Sequence, residues 1–337
     1  MKILFFTDPH WCQYSSIIRS NGIKYSTRLE NLIKSLNWVE QISKENNCAL
    51  EICGGDFFDK AELTAQEITA LSDIKWNDIN KIFIVGNHEI GINDASLSTA
   101  HLFNLLPNVK VISSPTIQSI NDTTELAFLP YILESNKESL ESYFGQKNKK
   151  RIIFSHNDIA GIQLGQWLTT TGFNIDDIEN NADLFINGHL HNGSYITDKI
   201  LNVGSLIGLN FSEDAFTYKH NVIIIDTETL KIDFIENPYA FNFFKINNSN
   251  KVFDLSSLGP NTVVTVQATE KTIDEYKKQL SNKNIVASRL LLKINTNILE
   301  DKSDELTIDH LQKFKSFILE TLGTDDIVQS ELLEVTK

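Results

Sequence analysis

Short apolar runs recur along this chain, each stopping at a polar or Gly-containing turn, and this constrains the fold more than any other feature. They are "KILFFTD" (2–8), "ALEICGGD" (49–56), "KIFIVGNH" (81–88), "ELAFLPY" (125–131), "RIIFSH" (151–156), "DLFINGH" (183–189), "ILNVGS" (200–205) and "NVIIIDT" (221–227). Their length and their β-branched and aromatic content predict strands. Helical stretches lie between several of them. "STRLENLIKSLNWVEQISKEN" (26–46) places Leu29, Leu32, Ile33, Leu36 and Val39 on one face, behind Ser26 as N-cap. "TAQEITALSDI" (64–74) and "SLSTAHLFNLL" (96–106) are shorter helical candidates. Alternation in the first half gives way to strands in the second, which predicts an α/β sandwich with a mixed sheet.

With 337 residues, 41% of them hydrophobic, the chain has room for one large domain and a smaller one. Composition shifts near "ENPYAFNFFKINNSNK" (236–251), which reads as a boundary. Residues 1–240 form the predicted large domain and 241–297 a small α+β unit. In the small unit, 262–269, 273–282 and 285–294 read as strand, helix and strand. Residues 298–337 complete the chain. Within 295–337, 295–305 is a polar linker and 306–322 an amphipathic helix, with Leu306, Leu311, Phe314, Phe317, Ile318 and Leu322 along one side. A formal net charge of −14 excludes nucleic-acid binding through a general basic surface. Such binding would need a local patch, bound cations or a partner chain. "KNKKR" (147–151) is one basic run, read as a solvated loop. Cys12, Cys48 and Cys53 are odd in number and lack zinc spacing, so they read as buried thiols. No window approaches the roughly 18 apolar residues of a membrane span. The first apolar run meets Asp8 and His10 without a signal-peptide cleavage pattern. The expected location is therefore the cytoplasm, of a host if the chain is viral, with no membrane contact.

The strand ends hold the reactive side chains. Five of the eight histidines lie there: His10, His88, His156, His189 and His191. Asp8, Asp56, Asp59, Asn87 and Glu89 share the same turns. Ligands of open α/β sheets gather beyond the carboxyl ends of strands, so these segments are expected to converge. A single Asp-x-His or Gly-His-x-His turn can equally be solvated. Carboxylate, imidazole and amide oxygen together suit borderline divalent metals. Two such ions about 3.5–4 Å apart need a shared carboxylate and terminal ligands on each. On an extended strand, residues two apart point to one face. Asp8 and His10 would then share an ion, and His189 and His191 would lie on one face, close enough to serve neighbouring ions. Trp11 beside them can stack on a base or simply pack. His101, His220 and His310 read as surface or internally satisfied histidines.

The ordered set "DPH", "GGDFFD", "GNHE", "SH" and "GHLH" resembles the calcineurin-like metallophosphoesterases over residues 1–235. The resemblance implies a two-sheet β-sandwich flanked by helices, holding two divalent ions, with Mn2+ expected. It implies that Asp8, His10 and His191 hold one ion, that Asn87, His156 and His189 hold the other, and that Asp56 bridges. His88 would protonate the leaving oxygen, and water acidified by the cations would attack phosphorus in line. Glu89, where the family usually has Asp, would orient His88. Ser155 stands where Gly is common. Asp59 occupies a position that carries a second His in some archaeal and eukaryotic relatives and Asp in bacterial ones. Gly204 and Ser205 would border the phosphate.

Within the family, "MKILFFTDPHW", "EICGGDFFDK" and "SHNDIAGI" are most similar to SbcD-type DNA repair nuclease subunits and their bacteriophage counterparts. That likeness implies a nuclease, exonuclease or endonuclease, of DNA recombination and repair. It also implies a DNA-contacting cap over 241–297 and, in 298–337, a helix for an SMC-like coiled-coil ATPase. A homodimer within a heterotetramer is implied too. A small-molecule phosphodiesterase or phosphatase on the same core is the alternative.

Overall fold

The computed structural model describes residues 1–164, 167–247, 252–281 and 284–293. The expected linker and helix over 295–322, and His310, lie outside the described residues. The chain opens with β1 (Lys2–Phe6), a long loop, α1 (Thr27–Glu45), β2 (Leu50–Cys53), α2 (Ala65–Leu71) and β3 (Asn80–Ile84). A hairpin of β4 (Ile90–Gly91) and β5 (Asp94–Ser98) follows, then a 3-10 turn (Thr99–Leu105) and β6 (Val109–Ile112). Next come β7 (Thr116–Ser119), β8 (Thr124–Leu129), α3 (Leu140–Phe144), β9 (Lys150–Ser155) and the hairpin β10 (Gln163–Leu164) and β11 (Trp167–Leu168). After α4 (Ile175–Asn181) run β12 (Leu184–Asn187), β13 (Ser194–Tyr195), β14 (Ile200–Asn202), β15 (Asn221–Asp226) and β16 (Ile232–Glu236). The described chain ends with β17 (Asn242–Ile246), β18 (Thr262–Ala268), α5 (Ile273–Gln279) and β19 (Ile285–Leu292).

Two six-stranded mixed sheets form the large unit, ordered β16-β15-β1-β2-β3-β6 and β13-β14-β12-β9-β8-β7. Period-two alternation decides which side chain goes where. Ile3, Phe5, Ile52, Ile82 and Ile84 of the first sheet meet Leu126, Phe128, Ile152, Phe154 and Ile186 of the second in one buried layer. The intervening residues Leu4, Phe6, Cys53 and Phe83 turn outward onto Leu29, Leu32, Leu36 and Val39 of α1. Ala127, Ile153 and Phe185 likewise cover α3 and α4 through Leu140, Phe144 and Ile178. This is the helix-flanked two-sheet sandwich that the motifs imply. All three cysteines are free and buried.

The small unit is a three-stranded parallel sheet, β17-β18-β19. Val264, Val266 and Ala268 pack with Tyr276 of α5, while Val263 turns to the large unit with Phe241 and Phe243. Two local expectations change. Residues 96–98, the start of the expected third helix, belong instead to β5, which pairs with β4, because Ile92 and Asn93 take left-handed φ values (46° and 57°) that close a hairpin. Only a 3-10 turn remains before Pro107. Trp11 is fully buried and donates from Nε1 to the Glu67 carbonyl at 3.0 Å, so it packs and does not stack on a base. Among the described residues, no helix is long and apolar enough to cross a membrane.

Candidate metal centre

The parallel strands β1, β2, β3, β9 and β12 all end toward one place, and the loops leaving them carry the titratable groups. β1 and β2 stop at Phe6 and Cys53, before the ligands. Asp8, His10, Asp56 and His189 have φ values of 52°, 48°, 48° and 70°. The extended geometry expected for Asp8–His10 and His189–His191 is therefore absent. Tight left-handed turns aim these side chains instead. Glycines make room: a Cβ on Gly55 would strike the His156 imidazole, one on Gly86 the Asp56 carboxylate, and one on Gly188 the Thr7 hydroxyl.

The side chains sort into two groups that meet at Asp56. Asp8, His10 and His191 offer ligand atoms within 4.8 Å of one another, and so do Asp56, His156 and His189; His10, Asp56 and His88 lie within the same reach across the two. His10 Nε2 lies 3.2 Å from His191 Nε2 and 3.7 Å from Asp8 Oδ1. Asp56 Oδ2 stands 3.0 Å from His156 Nε2 and 3.8 Å from His10 Nε2, so one carboxylate spans both groups. Asn87 Oδ1 lies 3.2 Å from His156 Nε2, on the second side. His88 is exposed at the mouth, its ring edge-on to His10 at 4.6 Å.

Outer partners fix each ring. His10 Nδ1 pairs with Asp59 Oδ1 at 3.0 Å, His156 Nδ1 donates to the Gly54 carbonyl at 2.8 Å, and His189 Nε2 pairs with Asp158 Oδ1 at 3.0 Å. Arg28, buried under the site, donates from Nη2 to the His10 carbonyl at 3.0 Å. Arg28 and Asp158 were not expected from the sequence. Asp158 carries a readable signal, a carboxylate two residues after His156. Arg28 lies one turn before Leu32 on the apolar face of α1, where a charge is out of place.

Glu89 does not orient His88. Its buried carboxylate accepts from Gly86 N at 2.9 Å and Phe58 N at 3.0 Å, bracing the two loops that carry Asn87 and Asp56. The His88 ring is held from Nδ1 by the Asp59 carbonyl at 3.0 Å. Gly204 and Ser205 do not border the open face either. Ser205 is fully buried and its N–H donates to the His191 carbonyl at 3.0 Å. Of the basic run, Lys147 pairs with Asp183 and Arg151 is buried against Glu125. His220 is buried and internally bonded.

Charge distribution in the cluster follows from burial and proximity. Burial opposes ionisation of Asp8, but His156, His10 and His191 outweigh it and hold the carboxyl at about 2. Asp56 is pulled low in the same way, chiefly by His156 against burial. Burial likewise opposes the charge on His10 and His156, yet the facing carboxylates lift them to about 10 and about 9. His191 falls to about 4 through burial and the nearby His10 cation. His10 then donates to a neutral His191. Protons occupy the cluster where cations can sit. Asp8 Oδ1 is buried without a hydrogen-bond partner, 3.7 and 3.9 Å from the inward nitrogens of His10 and His191. An orphaned carboxylate oxygen beside two inward imidazoles fits a divalent cation and is costly without one. Next to the centre, His189 and His191 open onto a cleft of about 480 Å3 walled by Asn192, Ser194, Asn210 and Ser212.

Comparison with known proteins follows the same lines. The family described as Calcineurin-like phosphoesterase matches residues 1–195. No curated protein matches the sequence. Among solved structures, the calcineurin-like phosphoesterase YfkN from Bacillus subtilis is similar, at 11% identity and TM-score 0.36, covering 70% of this chain and 88% of that one. A dimetal phosphatase from Danio rerio is similar at 12% identity and TM-score 0.39, covering 70% of this chain and 98% of that one.

Proposed function

Because this chain belongs to the calcineurin-like phosphoesterases, metal-dependent hydrolases of phosphoester bonds that typically hold two divalent ions, we propose that it is a Mn2+-dependent DNA nuclease subunit working with an SMC-like ATPase. The observation that carries the hydrolytic part is the Asp56 carboxylate standing between two imidazole groups at an open mouth. Asp8, His10 and His191 would hold one ion, and Asn87, His156 and His189 the other, with Asp56 shared. Bound there, the ions supply charge neutralisation for the phosphodiester and acidify water. Asp59, Gly54 and Asp158 keep the imidazoles aimed inward. His88, with Nδ1–H spent on the Asp59 carbonyl, has Nε2 left for the leaving oxygen, to which it would hand a proton from the doubly protonated imidazolium, returning to the neutral Nδ1–H form.

The nuclease part rests on the sequence likeness of 1–60 and 155–162 and on the small sheet that follows the sandwich, read as the DNA cap. Residues 298–337 would bind the ATPase, in a homodimer within a heterotetramer. The acidic chain suits that division, because the partner would supply the grip on DNA. A second reading, a small-molecule phosphodiesterase, is favoured by the cleft beside His189 and His191, whose lining among the described residues includes no Lys or Arg. Linear double-stranded DNA and a chromogenic phosphodiester, each with Mn2+ or Mg2+, separate the two. Degradation from DNA ends is the expected result. Turnover of the chromogenic diester alone, even with the ATPase added, would establish the second reading.

A further inference from the structure

A buried carboxylate–imidazole pair outside the ligand cluster has no part in the chemistry above. Glu213 and His220 lie in the strap 209–220, which leads from the turn after β14 into β15. Both are buried, with His220 Nε2 3.4 Å from Glu213 Oε2. Glu213 Oε1 accepts from Leu209 N at 2.9 Å and Asn210 N at 3.1 Å. His220 donates from Nδ1 to the Ser205 carbonyl at 2.9 Å, and Tyr218 Oη donates to the same carbonyl at 3.3 Å. Ser205 N in turn donates to the His191 carbonyl. Gly204 has φ 82°, and a Cβ there would strike the Tyr218 hydroxyl, so strap and turn touch without a gap. The outer side of the strap meets the small sheet. Ala215 N donates to the Phe243 carbonyl at 2.6 Å, Lys245 Nζ to the Ser212 carbonyl at 2.6 Å, and Phe216 packs on Phe244 at 4.9 Å.

We propose that Glu213 and His220 are positioning residues that hold His191 at the metal site and tie that hold to the seating of the small sheet. Asn202 Nδ2 also supports the turn, through the Leu190 and Asn192 carbonyls, but it does so from β14 and not from the strap. Glu213 Oε2 faces His220 Nε2 without a hydrogen bond, while Glu213 Oε1 ties down the start of the strap at Leu209 and Asn210 and His220 ties its end to the Ser205 carbonyl, so the strap moves with the turn. A shift of the small sheet is therefore passed to the His191 backbone, and through Leu206 N, which donates to the Thr7 carbonyl at 2.9 Å, to the residue before Asp8, His191 and Asp8 being ligands of the same ion.

The inference rests on the two-metal reading, and Mn2+ titration calorimetry of the full chain tests both separately. His220→Ala is expected to weaken one Mn2+ binding event about tenfold or more and leave the other within about twofold. His220→Asn, which keeps a donor for the Ser205 carbonyl, should recover most of the loss. Phe216→Ala should weaken the same ion to a smaller degree. Glu213→Gln keeps an acceptor for Leu209 and Asn210 N–H, and provides the test if His220→Ala fails to fold. Two wild-type constants in the folded variants, or equal weakening of both ions, would overturn the proposal. Absence of any Mn2+ binding by the wild-type chain would sink the two-metal reading itself.

Discussion

Asp8, His10, Asp56 and His189 share a left-handed backbone that side chains other than Gly rarely adopt. Such residues cost on the order of 1–3 kcal/mol each and persist where surrounding contacts over-determine them. Ion binding is one such contact, so saturating Mn2+ is expected to raise the melting temperature by several degrees over EDTA, with the shift lost in Asp8→Asn. Proton occupancy gives a second expectation. His10 and His156, raised to about 10 and about 9, hold protons in the metal-free cluster that a cation must displace. Mn2+ affinity should therefore rise with pH, by up to about tenfold per unit for each proton released, until those values are passed. Calorimetry at pH 6.5 and 8.5 checks this, and equal constants would mean that the imidazoles start out unprotonated. His88→Asn should bind Mn2+ normally and lose turnover of a chromogenic diester; a wild-type rate would remove His88 from proton transfer. The sequence exposes these side chains because their spacing at strand ends is visible along the chain. Asp158, two residues after His156, and Arg28, a charge on the apolar face of α1, leave a trace in the sequence, whereas Glu213 and His220 meet the turn behind His191 only through three-dimensional packing, and their neighbours in sequence say little about it.

Among the elements, α1 is the most legible. Its expected span of 26–46 meets an observed Thr27–Glu45, capped by Ser26 through the Leu29 N–H. Long apolar periodicity and a cap agree there, whereas 96–106 offered periodicity without excluding a hairpin. Ser26→Ala should lower stability by about 1 kcal/mol in denaturant melts. The C-terminal half of the same buried face of α1 joins a buried polar network through Glu40. Lys81 Nζ of β3 pairs with Glu40 at 2.9 Å and with Glu51 of β2, while Asn77 Nδ2 donates to Glu51 at 2.6 Å. One ammonium faces two carboxylates, and burial together with the Glu51 charge lifts Glu40 to about 7 in spite of Lys81. A carboxyl raised on folding binds its proton more tightly in the native state. Its contribution is present at low pH and is lost as pH climbs from the ordinary glutamate range through about 7. Glu40→Gln should flatten the fall in melting temperature between pH 5 and 8; an unchanged slope would assign that fall to other groups.

For the whole molecule, the partnership with an ATPase is the proposal that the sequence carries furthest. Deleting 306–337 is expected to spare cleavage of a small diester and abolish co-purification with the ATPase; unchanged co-purification would place the contact elsewhere. The two-sheet sandwich was legible because each apolar run is short and punctuated, although the order of strands was not. β1 lies between β2 and β15, so residues 2–5 pair with 223–226 across nearly the whole large unit. That pairing has a consequence for synthesis. A nascent chain emerging from the ribosome already displays all seven predicted ligands by residue 191, yet lacks the strand that flanks β1. Fragments ending before β15 should therefore sequester Mn2+ poorly and be rapidly proteolysed, and loading of the centre should await the emergence of residues 221–226 from the ribosome.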